Sequence, residues 1–275
     1  MLKKLLLFFT CLIHFWSFGN EGYFLRNEGQ LPDHVLYHAR LNYGGFYDEK
    51  DGFKILVLDP KELDHAIGHG EHHHHYEKGH SHINKDVRGH VFTIKFKGSN
   101  PLNYGLDYSN LSFKVSSFIG NDSSKWVGGL TPIKETTLSN LYEGIDLKLS
   151  FKNNVIKYDF IVKPGANPND INIEYEGLEN IRHLKNKLIL VTSVGNIEES
   201  APYSFTSDQP NNSIPTEYKK ITESTYGIEL GDYDKSKTLT IDPQLNFITF
   251  SGSSSDNWGF SATYDNLGYG YGGGV

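Results

Sequence analysis

Cysteine is nearly absent: the single one, Cys11, lies within the first twenty residues. Once those are removed, the chain has no thiol for a disulfide, a covalent nucleophile or a metal site. Basic clusters are also missing. The only arginines are Arg26, Arg40, Arg88 and Arg182, and 26 Lys plus Arg face 33 Asp plus Glu, a formal charge of −7. Such a chain offers little to a phosphate backbone, so nucleic acid is not expected as a partner. No apolar run reaches the roughly 20 residues that cross a bilayer as a helix. Neither an H-E-x-x-H zinc motif nor a G-x-S-x-G nucleophile elbow occurs.

The chain opens with Lys3 and Lys4, an apolar stretch from Leu5 to Trp16, and small residues at Ser17 and Gly19. This order of charge, short apolar run and small residues reads as a secretory signal peptide over residues 1–19, with cleavage near Asn20. Thr10 before Cys11 argues against a lipoprotein signal. The expected mature chain is exported and has no membrane span. Its roughly 255 residues suffice for one large or two modest domains with a real core.

Period-two patterning dominates the chain after this leader. In "IDLKLSF" the apolar residues are Ile145, Leu147, Leu149 and Phe151; in "IKYDFIV" they are Ile156, Tyr158, Phe160 and Val162. Each run predicts a strand with one face in a core and one toward water. Asn153-Asn154 between them tolerates positive φ and predicts a hairpin turn. Further strands are expected at Phe53 to Leu58, Val91 to Phe96, Leu111 to Phe118, Ile171 to Tyr175, Leu188 to Thr192, Tyr226 to Leu230 and Phe247 to Phe250. Helical stripes are limited to a turn or two. The fold class is all-β, a large antiparallel β-sandwich-type domain; one sandwich, or two subdomains meeting near residue 120, both satisfy the pattern. Asp242-Pro243 reads as the end of a strand. Residues 20–243 are assigned to this domain and 244–275 to a different, Gly-, Ser- and Tyr-rich tail.

The motifs "FLRNEGQLPDHVLYHA" (24–39), "FIGNDSSKWVGGL" (118–130), "LYEGIDLKLSFKNNVIKYDFIVKPGANPNDINIEYEG" (141–177), "VTSVGNIEESAPYSF" (191–205) and "TIDPQLNFITFSGSSSDN" (240–257) occur in this order. Together they resemble the N-terminal domain of unknown function that precedes SBBP repeats in secreted Bacteroidota surface proteins. The resemblance implies downstream repeats of β-propeller type, often with PKD or gliding-motility-associated C-terminal modules and type IX secretion. It implies a cell-surface location and no catalytic residue. A propeller blade needs about 40 residues, and only 25 follow Phe250. The tail therefore resembles a repeat cut short, and a fragment of a longer protein is expected.

Nine histidines lie between His65 and His90. His72, His73, His74, His75, His80 and His82 are the candidate metal ligands, since several neutral imidazoles on one loop can chelate Zn, Cu or Ni. The tract lies between two strands amid Gly68, Gly70 and Gly79, the composition of a long polar hairpin insertion. Adventitious metal binding is the expectation. His34 and His38 have i, i+4 spacing but lack the glutamate of a zinc helix. Glu143, Asp146, Asp159 and Asp170 crowd the central hairpin, and an acid pair could serve glycoside hydrolysis; their alternation with apolar neighbours instead suggests a wet sheet face. Trp126, Trp258 and the many tyrosines could bind glycans. "NDSSKW" and "YDNLGYGYGG" offer oxygens but do not match a calcium loop. His183 and the Ser251 to Ser255 run lack partners for nucleophilic catalysis. The leading expectation is a non-enzymatic structural or interaction module at the cell surface, presenting downstream repeats and contacting surface proteins or glycans. The alternatives are a carbohydrate-binding or carbohydrate-active protein and a metal-capturing protein.

Overall fold

The computed structural model describes residues 22–66, 86–101, 109–118, 121–152, 155–184, 187–247, 259–264 and 270–274. Strands β1 (Leu25–Arg26), β2 (Val35–Leu41), β3 (Gly44–Glu49) and β4 (Gly52–Leu58) form a meander, followed by helix α1 (Pro60–Ala66) and β5 (Gly89–Phe96). A small hairpin, β6 (Val115–Ser117) and β7 (Val127–Leu130), precedes β8 (Glu135–Tyr142), β9 (Ile145–Lys152) and β10 (Val155–Val162). Then come β11 (Asn172–Glu176), β12 (Asn180–Leu184), β13 (Lys187–Thr192), β14 (Gly195–Thr206), β15 (Thr216–Lys220), β16 (Thr225–Leu230) and β17 (Leu239–Phe247). A last pair, β18 (Gly259–Tyr264) and β19 (Gly270–Gly274), forms a two-stranded ribbon.

The chain is all-β. One antiparallel sheet has eight strands in the order β1-β2-β3-β4-β5-β11-β16-β15, and the other has seven in the order β12-β13-β14-β17-β10-β9-β8; neither closes on itself. Pairing of β5 with β11 joins strands from both sides of residue 120. One apolar core, drawn from both sheets, lies between them. Rings meet across the gap, with Phe53 and Tyr158 at 6.3 Å, Phe96 and Phe160 at 5.8 Å, and Phe24 and Phe151 at 4.6 Å between centroids. These tilted and edge-on contacts add to the burial that drives the layers together.

Alternation explains the strands directly. The eight apolar residues of the predicted β9 and β10 are all buried, and these strands pair from Val155 opposite Lys152 to Val162 opposite Ile145. The Asn153-Asn154 turn lies outside the described residues. Gly44 and Gly52 allow the tight β2–β3 and β3–β4 turns. Both have positive φ (146° and 147°), and a Cβ there would lie 1.9 Å from the Leu56 carbonyl oxygen and 2.3 Å from that of Ile94.

Two expectations differ from the structure. Of Leu111 to Phe118 only Val115–Ser117 is a strand: it pairs with β7 in a two-stranded sheet apart from the two large ones, and Phe113 and Phe118 are exposed. Asp242-Pro243 does not end a strand: β17 continues to Phe247 between β14 and β10. Proline lacks an N–H and ordinarily avoids central strands. Here the β14 register shifts between Ser200 and Tyr203, opposite the proline, so the missing donor coincides with a bulge.

Candidate functional site

Glu199 is an ionisable group fully buried on the inner face of β14. Ile197 two residues earlier is an ordinary core residue, so strand alternation alone directs Glu199 inward. A bare carboxylate there would be prohibitive, and three phenols answer it. Tyr175 donates to Oε2 at 2.8 Å, Tyr218 donates to Oε1 at 2.6 Å, and Tyr158 donates to the same Oε1. Tyr158 belongs to the same sheet as Glu199, whereas Tyr175 and Tyr218 come from the facing sheet. Tyr226 packs edge-on against Tyr175 and Tyr218, with centroids 6.2 and 6.5 Å away. Burial raises the Glu199 pKa, and the phenol hydrogen bonds pull it back part of the way. Burial, and then the facing carboxylate, push the three tyrosines well above their usual range. The cluster is a polar tie between the sheets, with both carboxylate oxygens held by fixed donors.

A second cluster lies on the outer face of the seven-stranded sheet. Register sets Asp159 of β10 opposite Asp242 of β17, since Phe160 faces Ile241 and Lys157 faces Gln244. Lys157 forms an ion pair with Asp242. Asp159 is pushed up to about 7, first by burial and then by the Asp242 charge. Among the described residues, Asp159 Oδ1 and Asp242 Oδ1 are buried without a hydrogen-bond donor.

Asp48, on the inner face of β3, is fully buried, and both its oxygens lack a partner among the described residues. Burial, reinforced by neighbouring Glu49, holds its carboxyl well above the usual range.

The sequence-predicted residues fall apart into separate local roles. The candidate metal ligands His72, His73, His74, His75, His80 and His82 lie outside the described residues, as do Trp258 and the Ser251 to Ser255 run. The neck of their connection is described. Asp59 caps α1, accepting from the Lys61 and Glu62 N–H groups at 3.0 and 3.3 Å, and Pro60 supplies a helical φ at the first position. Arg88, just before β5, pairs with Asp59 at 2.7 Å and Glu62 at 2.6 Å. His90 is in β5. Its Nδ1 accepts the Ser193 N–H at 3.2 Å, so Nε2 carries the proton donated to Gly177 O at 2.8 Å.

Asp146 accepts the Asn140 N–H at 2.8 Å and pairs with Lys163, Asp170 accepts from the Asn167 side chain at 3.0 Å, and Glu143 is in the β8–β9 turn. His34 reaches Glu49 at 3.6 Å, while His38 is half-buried beside Gln30 and its pKa is lowered by that burial. His183 packs edge-on against Tyr226. Asp122 caps the 3₁₀ turn Ser123–Lys125, accepting from Ser124. Trp126 is half exposed and packs on Phe118 at 5.9 Å. Among the described residues, no three His, Asp or Glu side chains gather as a metal site, and no helix is long and apolar enough to cross a membrane.

Sequence reasoning missed the Glu199 cluster and the role of Asp242. The available signal was parity: Tyr158 and Glu199 both occupy inward positions of alternating strands.

A family model described as a domain of unknown function, DUF7948, matches residues 24–244. The chain belongs to that family. The match begins at Phe24, whose backbone pairs with Ile133, and ends within β17, so the DUF7948 region takes in both large sheets and all members of the Glu199 cluster. No curated protein and no solved structure matches the chain.

Proposed function

We propose that this DUF7948 domain is a non-enzymatic structural and interaction module of an exported bacterial surface protein, presenting repeats that follow it. The observation that carries the reading is the state of Glu199, which is fully buried: three fixed phenols engage both its oxygens and bind one sheet to the other. A catalytic carboxylate needs a free oxygen facing substrate. The leader-like N-terminus supports export, and the ordered motifs from Phe24 to Asn257 support a place ahead of SBBP-type repeats. Expression of the full chain in a Bacteroidota host, with protease shaving of intact cells and N-terminal sequencing, tests this. Surface exposure with a new terminus near Asn20 is expected; an uncleaved chain retained in the cytosol contradicts it.

Glycan binding is a second reading, favoured by one observation. Phe118 and Trp126 form a tilted aromatic pair that is 62% and 47% exposed beside the polar 121–125 turn. Screening the protein and its Trp126→Ala variant on a glycan array decides this: loss of a specific signal in the variant supports it, and no signal for either rejects it.

A further inference from the structure

The geometry of the outer face of the seven-stranded sheet supports an inference that does not depend on the proposed function. Asp159 and Asp242 are directly opposite one another on neighbouring antiparallel strands, an arrangement in which two ionised carboxylates repel. The cations that could separate them are engaged elsewhere or on one side only. Lys157, on the same strand as Asp159, pairs with Asp242; Lys148, opposite Asp159 on β9, is held by Glu135 of β8 at 2.7 Å. Beyond Asp242 the next residue across the sheet is Tyr203 of β14. One buried oxygen on each aspartate has no donor, and Asp159 is within hydrogen-bonding reach of Asp242. A proton on Asp159 answers both deficits: its O–H donates to Asp242, and Lys157 neutralises the carboxylate that remains.

The pair is also located where the backbone pairing of the sheet is interrupted. Next to Asp242, Pro243 has no N–H, and the β10–β17 ladder is interrupted between Lys157 opposite Gln244 and Phe160 opposite Ile241. On the other side of β17 the β14 register shifts at the same level. A side-chain bond here therefore bridges a gap in the backbone pairing.

We propose that Asp159 and Asp242 share one proton and so form a pH-sensitive latch across the interrupted β10–β17 ladder, closed while the proton is held and loosened when it leaves.

Because the folded form holds the proton more tightly than the unfolded chain, the latch's contribution is fully present below the unfolded carboxyl pKa. It is lost as pH rises toward the folded value of about 7. The test compares the full chain with its Asp159→Asn variant, which keeps the shape and supplies a permanent donor. The ratio of wild-type to variant unfolding constants should rise about tenfold per pH unit between pH 5 and pH 7 and then level off, as for one proton. Other buried acids act equally on both proteins and cancel in the ratio. Should Asp159→Asn fail to fold, carboxyl-carbon NMR titration of the wild-type protein decides the matter. A resonance assigned to Asp159 titrating near neutrality supports the latch. In Asp242→Asn the midpoint of that resonance should fall. A flat unfolding ratio, or a wild-type Asp159 titrating in the ordinary carboxylate range, overturns it.

Discussion

Tyr218, near one edge of the eight-stranded sheet, donates its hydroxyl to Glu199 on the seven-stranded sheet at 2.6 Å. Tyr218 is thereby one of two phenols that cross the sandwich to the same carboxylate, while Tyr158 approaches from Glu199's own sheet. Tyr142 of β8 also bonds the Asn172 backbone of β11, at 3.3 Å, but the Glu199 cluster joins the sheets with three side-chain hydroxyls on one fully buried acceptor. Removing the acceptor strands three buried hydroxyls at once. Glu199→Ala should therefore lose about 3–5 kcal/mol in denaturant unfolding, against about 1–2 kcal/mol for Tyr218→Phe, which removes a single donor. Glu199→Gln, able to accept from two phenols, should fall between them.

Asp48 presents the opposite case, a buried acid with no donor among the described residues. Since burial raises its folded pKa, its ionisation opposes folding as pH climbs above the usual carboxylate range. Asp48→Asn removes that penalty and should stabilise the protein by about 1–2 kcal/mol at pH 8, with a smaller effect at pH 4.5. Unfolding midpoints at the two pH values check this.

Asp48, Asp159 and Glu199 are all shifted upward, so each binds a proton more tightly when folded. Stability should accordingly be higher at pH 5 than at pH 8, the reverse of a protein dominated by ion-paired carboxylates. Thermal melts across this range give the sign.

Deleting residues 67–85 removes most of the histidine tract while leaving α1 and the Arg88 clamp. Loop closure depends weakly on length, so the melting midpoint should stay within about 3 °C of the parent. Zinc binding measured by calorimetry should disappear. Arg88→Ala, which breaks exposed ion pairs at the neck, should leave the melting midpoint nearly unchanged.

The β9–β10 hairpin was legible because Ile145, Leu147, Leu149 and Phe151 alternate without interruption and Ile156 to Val162 repeats the pattern. The same parity placed Tyr158 inward and could have flagged Glu199 beside Ile197 as a buried acid. Its partners were not legible. Tyr175 and Tyr218 reach Glu199 only because β11 and β15 belong to the sheet opposite β14, and sheet order is a long-range property that no local window contains. Asp242 was hidden for a different reason. The Pro243 beside it signals a strand end wherever the ladder needs its donor, and only the shift in β14 removes that need. Alternation puts Asp159 on the outer face of its strand, where it is found, but the aspartate opposite it comes from a segment 83 positions later in the chain.

Residues from Phe24 to the end of β17 are expected to make one self-supporting sandwich whose two sheets are tied through Glu199. The most direct measurement is denaturant unfolding of residues 20–247 alone, followed in parallel by tyrosine fluorescence and far-ultraviolet circular dichroism. A single transition with coincident midpoints is predicted, and both signals should shift together in Glu199→Ala. A chain that does not fold without the residues after 247, or two sheets that melt at separate midpoints, would contradict the account.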